Sequence, residues 1–383
     1  MENGLFSEEH NIFRDMVAKF VAQEIEPHAE EWNEAGGLPR ELWSSMGEMG
    51  LLGTAYEEKY GGSEADFMYS IILAEELTRS RCSGIYLSVC VHKDMSSNYI
   101  LAGSEELRMK HLPGCIEGKK ICALALTEPG GGSDVAAIQA TAVKDGDDYI
   151  INGQKTFITN GTICDLVVVA VKTDPDASPP HRGVSLILVE AGTPGFNKGK
   201  KLKKMGAYVS DTAEISFEDC RVPASNLLGE ENGAFKIIMK NLALERIIAA
   251  SFFVTACEEM LKITKEYCKE RIIFGKPISA FQANSHKLVE LYTETALART
   301  FVYDCCLRYK NGESINKEIS MIKYYAAELA NKVAYHCVEL HGGYGYMKEY
   351  AICQWYTDVR QYPIGAGTTQ IMKDVIAKEL DLL

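Results

Sequence analysis

Apolar residues near the start of the chain recur at three- and four-residue steps: Phe6, Phe13, Met16, Val17, Phe20 and Ile25. With Ser7 as a cap and Glu8 and Glu9 in the first turn, that spacing predicts an amphipathic helix, ended by Pro27. A second helical stretch is predicted from about Ile71 to Leu101, then the acidic turn GSEEL and a further short helix. At Ile121 the pattern changes. YIINGQKTFITNG, DLVVVAVKT, GVSLILVEA and TAEISFEDC are short β-branched runs separated by Gly, Asp, Asn and Pro. No helical repeat lies between them, so they predict an antiparallel sheet. Past RVPASNLLGEENG the helical period returns and lasts nearly to the C-terminus. Three units are expected: helices over residues 1–119, a β unit over 120–226 and helices over 227–383.

Size and composition agree with this division. A chain of 383 residues exceeds one ordinary core. Apolar residues at 46% and charged residues at 24% are globular values. A formal net charge of −13 argues against a nucleic-acid or anionic-membrane surface. No apolar run reaches the roughly 18–20 residues that span a bilayer. The opening MENGLFSEEHNIF has neither a basic n-region nor an Arg-rich transit pattern. A cytoplasmic (bacterial) protein is expected, or a mitochondrial-matrix one whose transit peptide has been removed. The 12 cysteines are scattered, with Cys305 and Cys306 the one adjacent pair, and no metal spacing is present. A reducing compartment and no metal are expected.

Five strings carry candidate chemistry. In ALTEPGGGSD, Ala125 to Asp134, three glycines free the backbone to wrap a polar ligand, and Thr127 and Ser133 offer hydroxyls. TFITNG, Thr156 to Gly161, ends a strand and places Phe157 to stack on a flat ring. CKERIIFGKPISAFQ puts Arg271 and Phe274 before a Gly-Lys-Pro break, an Arg for pyrophosphate and a Phe for an aromatic ligand. ELHGGYGYMKEY sets a glycine pair beside aromatics, and PIGAGTTQ precedes a helix start that favours anions. Each alone could be an ordinary turn; the five in this order are far more specific.

Together they resemble the acyl-CoA dehydrogenases, end to end. GFNKGKKLKKMG and LHGGYGYMKEY look most like the long-chain branch and its bacterial relatives. The resemblance implies an α+β multidomain fold: a helical domain, an antiparallel β-barrel-like domain and a four-helix-bundle-like domain. It implies an FAD-dependent homotetramer that acts on acyl-CoA and passes electrons to an electron-transferring flavoprotein. Carried over by position, Leu126, Thr127, Phe157 and Thr159 border the flavin, and Ser133, Arg246 and Ala366 lie on the substrate side. Arg271, Phe274 and Gln282 reach the FAD of a neighbouring subunit, as does the turn at Glu339, Gly342 and Gly343. Gly367, Thr368 and Gln370 hold the ADP half. Family members commonly carry Gln where this chain has Glu339, and a carboxylate repels phosphates.

The resemblance also exposes a gap. Many members place the catalytic Glu just before the glycine of the C-terminal loop, where this chain has Ala366. Glu245, in NLALERIIAAS, is the candidate replacement. On a helix it shares a face with Ile238, Asn241, Leu242, Ile248, Ala249 and Phe252. Burial in such a stripe raises a carboxyl pKa toward neutrality, where a general base works best. The bland alternative is a buried Glu paired with an Arg of another helix; adjacent Arg246 points about 100° away. A similar Glu is the base in the isovaleryl and long-chain branches. Asp94 is the rival: a helix-start acid, or a second base on cyclic acyl-CoAs, whose dehydrogenases carry an aspartate in this region. Ala243 stands where some relatives have an Asp that contacts CoA. Phe252, Phe253 and Tyr99 are expected to shape the pocket. The thioester carbonyl would be polarised by the backbone N–H of Glu245 or Ala366 and by the FAD ribose. A flavin-bound acyl-CoA-binding protein without activity, and an oxidase, remain open alternatives.

Overall fold

The computed structural model describes residues 5–82 and 84–383; the first four residues of the expected N-terminal unit lie outside them. The N-terminal helices are α1 (Glu8–Phe20), α2 (Ala29–Ala35), α3 (Arg40–Glu48), α4 (Met68–Thr78), α5 (Ile85–Cys90), α6 (Ser97–Ile100) and α7 (Glu105–Ile116). Ser7 caps α1: its hydroxyl accepts from the His10 N–H, and the His10 ring accepts from the Ser7 N–H at 2.9 Å. Pro27 does not end the helical path. It sits in a 3₁₀ turn, Glu26–His28, near that turn's start, where a missing N–H costs little, and the chain continues into α2. The stretch expected from Ile71 to Leu101 is split. It breaks after Thr78, where the Ser80 hydroxyl donates to the Leu77 carbonyl at 2.8 Å, and it resumes at Ile85. α5 then runs into α6 through a π-helical turn, Val91–Ser96.

The sheet contains β1 (Cys122–Ala125), β2 (Thr141–Asp145), β3 (Asp148–Thr159), β4 (Leu166–Lys172), β5 (Val184–Glu190), β6 (Phe196–Lys201), β7 (Thr212–Pro223) and β8 (Leu227–Leu228). Its order is β6-β7-β3-β2-β4-β5-β8. Most pairs are antiparallel, but β1 runs parallel to β4, with Cys122 opposite Leu166. β2 also meets β4 in parallel, at Thr141 and Lys172, so β1 and β2 share one edge of that strand. β4 and β5 read as apolar runs and are buried along almost their whole length.

The C-terminal part holds α8 (Ala234–Glu270), the hairpin β9 (Ile272–Ile273) and β10 (Lys276–Pro277), α9 (Gln282–Lys310), α10 (Asn316–His341), α11 (Ala351–Asp358) and α12 (Thr369–Glu379). One apolar cluster joins Phe13, Trp43 and Ile72 of the early helices to Ile248, Phe253, Val302 and Ala330 of the late ones. A second joins Tyr99 and Leu107 to Leu124 and Leu186 of the sheet and to Ile238. α8 enters both, and Glu245 lies between Ile238 and Ile248, where the two cores meet. Each large apolar side chain buried in them contributes about 1.5–3 kcal/mol. Among the described residues no helix is long and apolar enough to cross a membrane, and no group of His, Cys, Asp and Glu could hold a metal ion.

Candidate active site

α8 is continuous from Ala234 to Glu270, so its helical period puts Ile238, Glu245, Ile248, Ala249 and Phe252 on one buried face. Glu245 is 2% exposed. One oxygen, Oε1, accepts from the Tyr99 hydroxyl at 3.2 Å. The other, Oε2, is buried and has no hydrogen-bond partner among the described residues. Among the described residues no Arg or Lys pairs with this carboxyl, so no structural ion pair is seen there. Burial pushes its pKa up to about 8; the Tyr99 hydrogen bond and the Arg246 charge oppose that rise, and the Asp94 charge adds to it.

Asp94 is buried too, but its partners differ. It lies inside the π-helical turn rather than at a helix start, because α5 precedes it without a break. Its Oδ1 accepts from the Ser70 hydroxyl at 2.9 Å and from the Lys93 ammonium at 2.8 Å. Its Oδ2 accepts from the Tyr86 hydroxyl at 2.8 Å. Lys93 also donates to Ser70 at 2.6 Å, which closes a buried network. Phe252 packs against Tyr86 at 5.2 Å and Phe253 stacks on Tyr362 at 4.1 Å, so these two expected pocket residues join one ring cluster, while Tyr99 belongs to the other apolar core.

The strings near the sheet are held from beneath. Glu128 accepts from the N–H groups of Gln139 and Ala140 at 2.6 and 2.9 Å and from the buried Lys155 ammonium at 2.7 Å. Lys155 also donates to the Leu126 carbonyl at 3.2 Å, and the Thr156 N–H donates to the Thr127 carbonyl at 2.9 Å. Leu126, Thr127, Phe157 and Thr159 are thus brought together at the ends of β1 and β3, with Ser133 exposed on the adjoining loop. Phe157 has φ 59° and is 67% exposed.

A second cluster lies at the far end of α8. Arg271, His336, Glu339, Gly342, Gly343 and Tyr344 line a cleft of about 890 Å³. The Arg271 guanidinium sits 5.3 Å from the Tyr344 ring centre and has no carboxylate partner among the described residues. Glu339 is engaged with the His336 ring at 3.0 Å. Phe274 tips the β9–β10 hairpin with φ 48° and is 93% exposed; Gln282 opens α9.

The C-terminal loop forms the third part. Ala366 and Gly367 have φ of 52° and 93°, and Thr368 caps α12 by accepting from the Ile371 N–H at 3.2 Å. Gln370 is exposed on the first turn of α12. The buried Lys323 ammonium donates to the carbonyls of Gly365 at 2.7 Å, Tyr362 at 3.3 Å and Gly367. A Cβ at Gly367 would come within 3.6 Å of the Arg246 guanidinium, so the loop abuts the helix that carries Glu245. The expected pair of carbonyl donors is narrowed. Inside continuous α8 the Glu245 N–H belongs to the helix, whereas the Ala366 N–H makes no hydrogen bond among the described residues. Sequence reading missed Lys155, Lys323, Lys93 and the Tyr99 hydroxyl. A lysine at an inward strand position and another on the apolar stripe of α10 were the available signals.

Helices, sheet and helices thus surround a buried carboxyl whose pKa is pushed up to about 8. Three family models match along the chain: the acyl-CoA dehydrogenase N-terminal domain at residues 7–119, the middle domain at 123–220 and the C-terminal domain at 232–380. The long-chain specific acyl-CoA dehydrogenase of Rattus norvegicus is 45% identical over 377 residues, 98% of this chain and 87% of that one. The Caffeyl-CoA reductase-Etf complex subunit CarC of Acetobacterium woodii is 37% identical over 97% of this chain and 98% of that one. The crystal structure of acyl-CoA dehydrogenase from Geobacillus kaustophilus superimposes with a TM-score of 0.96, at 48% identity, covering 98% of this chain and 99% of that one. The chain belongs to the acyl-CoA dehydrogenase family, whose members bind FAD. The residues present fit that group: a Cβ at Gly130, Gly131 or Gly343 would meet nothing within 4 Å, which leaves open backbone, and Phe157 and Phe274 are uncovered rings.

Proposed function

We propose that this chain removes the α-proton and β-hydride of an acyl-CoA thioester to give the enoyl-CoA, with Glu245 as the base. The observation that carries this reading is the buried, unpartnered Oε2 of Glu245. A carboxylate left dry and unpaired is a strong proton acceptor, and a pKa near 8 matches a base working near neutral pH. The Ala366 N–H is the backbone donor for the thioester carbonyl, where negative charge develops as the Cα–H bond breaks. The proton passes from Cα to Oε2. When bound, FAD supplies the hydride acceptor, and Leu126, Thr127, Phe157 and Thr159 hold it against the substrate. Arg271, Phe274, Gln282, Glu339, Gly342 and Gly343 reach the FAD of a neighbouring subunit across a homotetramer interface, and Gly367, Thr368 and Gln370 hold the ADP half. The exposed Val289 and Leu297 on α9 support such an interface.

The phosphorylated end of CoA has a candidate berth. A cleft of about 340 Å³ beside the start of α8 is lined by His181, Arg182, Phe235, Lys236 and Met239, cations interleaved with apolar surface. With Ser133 and Arg246 it accounts for the nucleotide without an acid at Ala243. The identity to a long-chain enzyme supports a long acyl group, and the Etf complex subunit among the relatives supports an electron-transferring flavoprotein as acceptor. Asp94, whose two oxygens both accept from neighbours, is read as a wall of the pocket rather than as a base for cyclic substrates.

Glu245→Gln tests the assignment. The variant is expected to keep FAD yet lose about 10²–10⁴-fold in turnover. Anaerobic mixing with acyl-CoA should bleach the flavin of the wild type and leave that of the variant yellow. A variant that bleaches at the wild-type rate refutes the role of Glu245; a wild type that never bleaches refutes the dehydrogenase reading.

A further inference from the structure

We propose that the Tyr99 hydroxyl is the positioning group for the base: it holds one oxygen of Glu245 and so turns the other toward substrate. The inference rests on the reading of Glu245 as base. Tyr99 and Glu245 stand 146 positions apart in sequence, on α6 and α8, and meet where the two apolar cores join. Tyr99 is fully buried, so its ring is fixed by packing before the hydroxyl makes any bond. Its O–H reaches Oε1 at 3.2 Å, a long hydrogen bond with room to tighten when substrate displaces water.

Among the described residues no other neighbour does this. The titratable and charged groups facing Glu245 are Asp94 and Cys90 from the helical path between α5 and α6, Tyr99 from α6, and Arg246 from its own helix. Lys323 of α10 interacts with Arg246 through its charge. Asp94 has both oxygens engaged with Lys93, Ser70 and Tyr86 and acts on Glu245 only through its charge. The Cys90 thiol is driven upward by burial and stays neutral. The Arg246 Nε is itself buried without a partner, and its guanidinium makes no hydrogen bond to Glu245 among the described residues. Among the described residues Tyr99 is therefore the one donor that touches the carboxyl.

The chemistry of that contact is one-sided. Burial and the Glu245 charge push the Tyr99 phenol well above its ordinary range, so it remains protonated and donates. A donated hydrogen bond favours the charged carboxylate. Tyr99 thus offsets part of the burial effect and keeps a useful fraction of the base ionised at neutral pH. Because Oε1 is tied, rotation of the carboxyl is restricted and Oε2 keeps one direction.

The test uses the FAD-loaded protein as wild type, Tyr99→Phe and Glu245→Gln. In wild type, kcat/KM should rise with pH as Glu245 ionises. In Tyr99→Phe that limb should move up by about one pH unit, and the alkaline plateau should fall by about 10-fold as Oε2 loses its fixed direction. A purely packing role would lower the rate at every pH and leave the limb in place. Infrared difference titration gives a readout independent of turnover: the protonated carboxyl band absent from Glu245→Gln should shift its midpoint upward in Tyr99→Phe. Should Tyr99→Phe fold poorly, replacing Tyr99 with 3-fluorotyrosine, a stronger donor, should move both limb and band downward. An unmoved limb and band, with Glu245→Gln inactive, overturns the role of Tyr99 and leaves the base assignment standing. An active Glu245→Gln overturns the assignment itself.

Discussion

Burial gives Glu245 a thermodynamic signature separate from catalysis. Its pKa stands near 8 in the fold against an ordinary 4.5, so the native protein keeps a proton that the unfolded chain has released. The sign follows from linkage. The contribution of this group to stability is complete below its unfolded value and is lost as pH rises toward 8, at about 1.4 kcal/mol per pH unit between the two. Glu245→Gln removes the titration. The thermal midpoint of the variant, measured without FAD, should therefore gain on wild type as pH is raised through that window and level off above it. A difference that is flat with pH would mean that Glu245 is not held neutral by burial, and the base assignment would lose its physical ground.

At the scale of elements, the site depends on how one helix and one loop are fastened. α10 carries Ile319, Ile322 and Ala326 on a buried face, and Lys323 enters the same interior with its ammonium on three loop carbonyls. Burial lowers the Lys323 pKa to about 8, so the carbonyls are what make its charge tolerable there. In the same loop Ala366 and Gly367 take left-handed backbone, a cost of roughly 1–2 kcal/mol for the alanine. Lys323→Met would strip the carbonyls of their donor at about 1–3 kcal/mol each where they stay unsatisfied. The expected result is a lower thermal midpoint, faster amide exchange at residues 364–370 and weaker FAD retention; wild-type exchange in that segment would show that the lysine does not hold the loop. These fastenings mark the limit of what the sequence discloses. Glu245 was legible because the helical period fixes which of its neighbours share its face. The split between α4 and α5 was not, since both halves carry apolar residues at compatible steps. Nor were the partners of Lys155, Lys323 and Tyr99, which meet only after sheet, bundle and N-terminal helices have packed. Gly130 and Gly131 are a further case: neither has a positive φ and an added Cβ would meet nothing, so the chain's own fold does not demand them. Their spacing was readable, their cause lies in what approaches the loop.

For the molecule as a whole, the question is what keeps α6 and α8, and so Tyr99 and Glu245, in register. The shared apolar cluster is one answer, and a buried charge network is the other. Glu75 on α4 is fully buried and accepts from Arg14 of α1, Arg299 of α9 and Ser251 of α8, each at 2.7 Å. Arg79, just past α4, reaches Glu259 of α8 at 2.8 Å. Burial alone would raise the Glu75 pKa, but the Arg299 and Arg14 guanidiniums outweigh it and hold the carboxyl below its ordinary range. Its linkage therefore has the opposite sign from that of Glu245: the stability it contributes is present above the unfolded carboxyl value and is lost as pH falls through the folded one. Glu75→Gln removes one of two carboxylates from each guanidinium, leaving Arg14 with Glu76 at 2.7 Å and Arg299 with Glu258 at 2.8 Å, so the loss at neutral pH should fall below the roughly 3–5 kcal/mol of a fully broken buried pair. Guanidinium chloride unfolding at neutral and at strongly acidic pH should show a large gap between variant and wild type in the first case and a narrowed gap in the second. An equal gap at both would mean that packing, not charge, joins the early helices to the bundle. The two buried acids then separate by their pH response: the one surrounded by guanidiniums serves the assembly of the fold, and the one left with a single hydroxyl partner among the described residues is the proposed base.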